Sequence, residues 1–440
     1  MQKKLSKLDL LALVIGSIVG WGAFTLPQNQ FLPHSGIINT TIGLLIGAFV
    51  MLFIEKGYSI MIKNSKKEDG GEFSYTYQNL GKLHGFIVGW SLSLCYLSLV
   101  PLNATAFVLV FKVIFPDLSW LYLYSVAGYN IYFSDILLAW FIILTFGYIN
   151  IKGIHISSLI QKILIILLII NIFIILFTMI DKIDVNIFYN NYINNESINF
   201  SQILTVLSIV PFLFVGFDVI VQVSTDLGFT RNKTSLIAIV GIIFGAIIYS
   251  ILNLITALAF DLDLDTIITK QWALGEGVLK YIGTWGFSLL IIALLAAVTG
   301  GINGFMLSSS KLLGAIANYK LIPSQYAHKN GNNVYYNAIL FIMIISMIAP
   351  FFGRKVIIYI VDLCSLLVSI TYAYVTFISI SKCDNKTDKM LVIIGFIIAL
   401  CFILLLIIPF SPVFLSIPSF VFMLCWSMLG TIYYIIHCKL

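Results

Sequence analysis

Twelve long apolar runs follow one another along the chain, at 8–26, 37–60, 84–113, 131–149, 156–180, 203–223, 236–260, 285–313, 338–352, 356–380, 390–410 and 413–437. A transmembrane helix needs about 20 mostly apolar residues to cross about 30 Å of hydrocarbon. Twelve such helices take up roughly 240 positions of the 440 and leave only short loops between them. The runs therefore predict an all-α integral membrane protein of twelve spans with no extramembrane domain. Composition excludes the soluble alternative, because 10% of the residues are charged against about 25% in an ordinary soluble chain. The first run is too long and too rich in glycine for a signal peptide and is expected to remain in the mature chain. Six cysteines are scattered through apolar runs or lie near the ends, with no C-x-x-C pair, so neither a zinc site nor a disulfide framework is expected.

With the N-terminus placed in the cytoplasm, 19 of the 25 Lys and Arg residues fall on the inner side. The outer side receives six: Lys112, Lys182, Lys270, Lys280, Arg354 and Lys355. This positive-inside asymmetry places both termini, the 2–3 loop and the 8–9 loop in the cytoplasm. The net charge of +6 thus reflects topology rather than nucleic-acid binding. The abundance of Ile, Asn and Lys points to AT-biased bacterial coding, and so to a bacterial cell membrane.

Two of the runs carry interruptions. Span 1 reads Gly16-Ser17-Ile18-Val19-Gly20-Trp21-Gly22-Ala23-Phe24, and each glycine costs up to ~1 kcal/mol relative to alanine in a helix. Span 6 reads Pro211-Phe212-Leu213-Phe214-Val215-Gly216-Phe217-Asp218, joining a missing amide donor, a flexible glycine and an ionisable group. Both helices are expected to unwind. They open two consecutive five-helix sets, residues 1–180 (spans 1–5) and 181–385 (spans 6–10), with spans 11–12 (386–440) appended. Five is odd, so the second set enters the membrane from the opposite side. Interrupted helices at matching places in inverted halves point to a transporter binding site. Unwinding frees N–H groups that suit a carboxylate and C=O groups that suit an ammonium or a metal cation. An α-amino acid carries both on one carbon. The alternative is that the glycines only let helices pack closely.

These segments resemble the amino acid-polyamine-organocation (APC) family of transporters over nearly all of the first ten spans. Gly16 to Phe24 is similar to the family's first-helix signature. Gly70-Gly71-Glu72-Phe73-Ser74-Tyr75 with Leu80-Gly81 resembles its inner re-entrant segment, and Phe214 to Asp218 its sixth-helix core. The stretch from Gly300-Gly301-Ile302-Asn303-Gly304-Phe305 through Lys311, Ala317 to Pro323 and Tyr336-Asn337-Ala338 is similar to its eighth helix, inner loop and ninth-helix start. The resemblance implies a LeuT-like inverted five-plus-five repeat with two appended helices, and alternating access around a central site. It implies substrate contacts at Gly20, Trp21, Gly22, Phe212, Gly216, Phe217, Ile302 and Asn303. Two departures stand out. Trp21 occupies a place where relatives often have a small residue, so its indole takes volume from the substrate. The register of the lysine found in many proton-coupled relatives lands on Leu168, which points toward exchange, uniport or a different ion site.

The remaining polar residues have two readings each. Asp218 is expected to exchange a proton or latch a gate, or to cap the second half-helix at its N-terminus, roles that do not exclude each other. Glu55, beside Lys56 and close to the interface, is expected to snorkel into solvent rather than to transfer a proton. Asp362 is expected to make a structural hydrogen bond or to act in gating, and Asn103 to join helices or to touch the ligand. Gly70-Gly71-Glu72-Phe73 superficially resembles the glycine-rich turn of cyclic-dinucleotide synthases, but the loop has no room for their soluble domain. The five histidines lack the spacing of a metal-binding helix, and no catalytic constellation appears. The expected function is secondary transport of an amino acid or related small amine, not an enzyme, with no cofactor or metal and with H+ or Na+ as possible coupling ion. A membrane sensor that binds a small amine without moving it is the alternative. A channel would need a continuous polar or charged lining, which the sparse intramembrane charges do not provide.

Overall fold

The computed structural model describes residues 4–64, 68–126, 128–182, 185–194, 196–259, 272–409, 411 and 414–438. Lys3, Lys66, Lys67, Lys270 and Lys439, counted in the charge asymmetry, lie outside the described residues. Ten helical stretches among the described residues are long and apolar enough to cross a membrane. They arise from the runs named above, since a segment in hydrocarbon satisfies its backbone polar groups internally as a helix.

Helix α1 (Lys7–Ile18) starts at a capping box, with Ser6 and Asp9 exchanging side-chain and backbone hydrogen bonds. Its first turn is anchored by an Asp9–Lys162 ion pair of 2.7 Å. It stops at Ile18 and resumes as α2 (Gly22–Leu26), which runs on through Pro27–Phe31 and Leu32–Ser35 to Gly36. Then follow α3 (Ile38–Asn64), α4 (Gly71–Leu80) and α5 (Lys82–Ile114). A hairpin of β1 (Tyr122–Val126) and β2 (Tyr129–Tyr132) leads to α6 (Phe133–Ile151) and α7 (Ile154–Lys182).

The second set begins with another broken pair, α8 (Phe200–Leu213) and α9 (Val219–Gln222). It continues with α10 (Thr234–Leu258), α11 (Ala273–Ile282), α12 (Thr284–Asn318), α13 (Tyr336–Ile348) and α14 (Gly353–Ile380). A short turn, Ala349–Phe352, separates α13 from α14 inside one continuous apolar stretch. Helices α15 (Lys386–Ile407) and α16 (Ile417–His437) close the chain.

Helices α4 and α11 were not predicted as separate elements from apolar runs, because each has only 10 residues, too few to span. Each follows a broken pair and one long helix, α3 or α10. Each ends at a glycine with positive φ, Gly81 at +88° and Gly283 at +85°, a conformation that costs L-residues with a Cβ. Each glycine leads straight into the longest helix of its set, α5 with 33 residues and α12 with 35. The core forms around α12, which is buried from Ala296 to Ala317 and packs on α5 and α7. On the periphery, Ile163, Ile166, Ile170 and Phe177 line up at helical spacing on the outside of α7. Of α16, only Ser419 and Gly430 are buried. It attaches through the stacked indoles of Trp426 and Trp90, 4.4 Å apart, each donating to the other's carbonyl.

Outside the helices, a backbone clip joins the two broken spans at their common end. Leu5 pairs in parallel with Leu227. Its N–H donates to Asp226 O at 2.9 Å, and the Gly228 N–H donates to Leu5 O at 2.9 Å.

Candidate functional site

Both predicted interruptions are present, and they meet. After Ile18 the backbone turns extended at Val19, with φ −95° and ψ 91°. The freed groups find side chains: Tyr249 donates to Ile18 O at 3.3 Å, and Asn103 Oδ1 receives the Trp21 N–H at 3.4 Å. Asn103 itself is fixed by donating to Leu99 O at 2.9 Å. In span 6 the chain leaves α8 at Leu213 and passes through Gly216 at φ +117°. A Cβ on Gly216 would lie 2.6 Å from the Ser17 carbonyl carbon and 2.9 Å from Ile18 N. The two breaks are thus in backbone contact. Glycines on α12 complete the approach: a Cβ on Gly304 would overlap Ser17, and one on Gly301 would lie 2.9 Å from Asn103.

The residues expected to touch substrate divide into two groups. Gly20, Trp21, Gly22 and Phe212 are half-buried and lie together, with a Gly22 Cβ placed 3.9 Å from the Phe212 ring. Gly216, Phe217, Asp218, Ile302 and Asn303 are buried. The Phe217 ring faces Tyr58 and Tyr372, at 5.0 and 5.6 Å. The Asn303 amide is engaged between α12, α6 and α7: its Oδ1 accepts from Asn150 and Ser157, and its Nδ2 donates to Gln161 Oε1 at 2.8 Å and to Ser157 O. Leu168 is buried on α7.

Asp218 does not cap α9 by a forward side-chain bond, contrary to the capping expectation. Its Oδ1 turns back to accept the Gly216 N–H at 2.7 Å, and its Oδ2 accepts the Tyr96 hydroxyl. The positive φ of Gly216 aims that amide at the carboxylate two residues on. Glu55 also departs from expectation. It is buried, because Lys56 takes the outward position and pairs with Asp388 at 2.5 Å. Near Asp218, Glu72 is fully buried and accepts from Gln222 at 2.7 Å, while its Oε1 has no hydrogen-bond partner among the described residues.

Arg354, counted with the loop before span 10, is buried. Its guanidinium lies 5.1 Å from the Trp21 ring centroid and donates to Leu102 O and Thr105 Oγ1. It pins the indole against α5. Its place directly after Gly353, ahead of an apolar run, read as a loop position and gave no sign of this burial.

At the face that holds the N-terminus, a cluster of charges ties several elements together. Lys311 Nζ lies 2.5 Å from Asp226 and 3.3 Å from Asp69, and Lys329 reaches Asp69 at 2.7 Å. Thr225 and Tyr335 hydroxyls also donate to Asp69. Burial pushes the Asp69 carboxyl up, but Lys311 and these donors outweigh it and hold it well below the usual carboxylate range. At the opposite face, a cavity of about 590 Å³ reaches in to Leu26 and Phe212, the side chains that stand over Gly22. Asp362 lines it and accepts from Ser419 Oγ at 3.3 Å.

The family profile described as amino acid permease matches residues 5–434. A relative in Escherichia coli strain K12, provisionally named an arginine/ornithine antiporter, is 25% identical over 75% of this chain and 71% of its own. An arginine/ornithine antiporter of Pseudomonas aeruginosa is 21% identical over 75% of this chain and 67% of its own. A branched-chain amino acid permease of Bacillus subtilis is 26% identical over 57% of this chain and 53% of its own.

Proposed function

The chain belongs to the amino acid permease family, and on that premise we propose that it is a secondary transporter moving an amino acid or related small amine across a bacterial cell membrane by alternating access. The observation that carries this reading is the meeting of two broken helices, with Gly216 against Ser17 and Ile18. Free amides and carbonyls at such a junction suit the carboxylate and ammonium of an α-amino acid. Phe212 lines the cavity, and Gly20, Trp21 and Gly22 are the substrate contacts beneath it. Gly216, Phe217, Ile302 and Asn303 shape the site from behind, and Asp218 acts in gating through Gly216 and Tyr96.

The architecture of this reading is twelve spans: a LeuT-like inverted repeat of residues 1–180 and 181–385, with 386–440 appended and both termini cytoplasmic. The recurrence of a broken pair, a ten-residue helix and a positive-φ glycine before the longest helix supports the repeat. The inner side is then sealed by Lys311 with Asp69 and Asp226, and the outer cavity leads to the site. Leu168 in the lysine register leaves exchange, uniport or a different ion site, and among these the names of the antiporter relatives favour exchange. H+ or Na+ remains the coupling ion of any net uptake.

Purified protein in proteoliposomes, with and without preloaded amino acids, tests this. Uptake that needs a preloaded partner is expected for an exchanger. Binding without any flux would overturn the transporter and leave the sensor. Net uptake and exchange measured across pH in wild type and Asp218→Asn test the gating role. A variant indistinguishable from wild type in both would remove Asp218 from the cycle.

A further inference from the structure

The outer cavity holds a charge that the cycle above does not use. Asp362 is exposed on α14 within an apolar run, and it lines the cavity of about 590 Å³. No Lys or Arg lines that cavity, and His34 is its only other titratable side chain among the described residues. The Ser419 hydroxyl is the one hydrogen-bond partner of Asp362 among them. The N-terminus of α16 does not depend on the carboxylate, because Ser416 caps it by accepting the Ser419 N–H. A carboxylate at membrane depth with no cation beside it is costly as a purely structural element.

The chemistry of the cavity restricts what it takes. With no Lys or Arg among its described lining residues, it offers an anion no fixed positive charge. A hard metal ion needs several anionic or carbonyl ligands, and no group of three His, Cys, Asp or Glu exists among the described residues. An ammonium or guanidinium needs one carboxylate and a few neutral acceptors, which Asp362, Ser365, Gln30 and Thr205 supply. The volume falls in the range of small-molecule sites, and its inner end is Phe212 and Leu26, directly over Gly22.

We infer that this cavity is an outer subsite for the cationic side chain of the transported amino acid, with Asp362 as its counter-charge. This rests on the transporter reading and deepens it, by naming a cationic amino acid or diamine as the substrate class. Binding there places the cationic end outward and the α-carbon toward the break behind Phe212.

Uptake of L-ornithine, L-arginine and L-leucine into proteoliposomes containing wild type, Asp362→Asn or Asp362→Glu tests the subsite. Asp362→Asn is expected to raise the half-saturation concentration for ornithine and arginine about tenfold, the loss of one charge-assisted contact, with the maximal rate kept. Asp362→Glu should recover most of that loss, and leucine uptake should be unchanged in both variants. Equal effects on leucine and ornithine, or none on either, would overturn the subsite and leave the transporter reading standing. So would a wild type that carries leucine but neither cationic amino acid. A wild type that carries no amino acid at all would overturn both.

Discussion

Gly216 has both a positive φ and backbone atoms of the other break against it. A methyl group there must adopt φ +117° and meet the Ser17 carbonyl carbon at 2.6 Å. The left-handed backbone costs about 1–2 kcal/mol, and crowding a packed core adds about 1–3 kcal/mol. Gly216→Ala is therefore expected to lower the Tm in detergent and abolish uptake. At Gly22 the nearest atom to a new Cβ is 3.5 Å away, so Gly22→Ala should behave nearly as wild type. Gly22→Leu fills the space before Phe212 and should abolish substrate binding while expression holds. Binding measured on the purified variants checks this order. Trp21 carries a second prediction. Its indole is held by Arg354 at 5.1 Å, a contact worth about 0.5–2 kcal/mol. Trp21→Ala should lower the Tm slightly and admit bulkier amino acids, read by competition against a size series. An unchanged profile would mean that the ring does not set the size limit.

Four separate elements, the residues before α4, the segment after α9, α12 and the loop before α13, are tied together by Asp69, Asp226, Lys311 and Lys329. Lys311 and Asp69 are only 6% and 8% exposed, so removing the ammonium strands buried carboxylates. Lys311→Met should cost about 3–5 kcal/mol, as breaking a buried pair does, and should speed leak from the N-terminal face. The acid limb of stability follows from Asp69. Its folded carboxyl sits below the free value of about 3.9, so its stabilisation is complete above that pH and is lost as pH falls through the lower folded value. A Tm series from neutral to strongly acidic pH should show that limb in wild type. Asp69→Asn should be less stable at neutral pH and lack this component on acidification.

Across the whole molecule, what could be read from the sequence was what local chemistry decides. Run length and apolarity gave the long apolar helices, and Gly20, Gly22 and Gly216 gave the two breaks, because backbone freedom is written into glycine, whereas Pro211 stays inside α8. The facing of side chains was not legible. Glu55 and Lys56 are neighbours in sequence, yet about 100° of helical turn puts one inside and one out. The Tyr96–Asp218 bond joins residues 122 positions apart, a pairing that no local spacing encodes. Arg354 carried the signal of a loop and turned out to be buried.

The clip between Leu5 and Leu227 has a kinetic consequence. The Leu5 and Gly228 amides are bonded only across the gap between the two broken spans, so their protons are protected only while that end stays shut. In deuterated buffer they should exchange together, at the frequency with which the N-terminal face opens. Saturating substrate should change both rates by the same factor. Independent exchange at the two amides would show that the broken helices part company before they move.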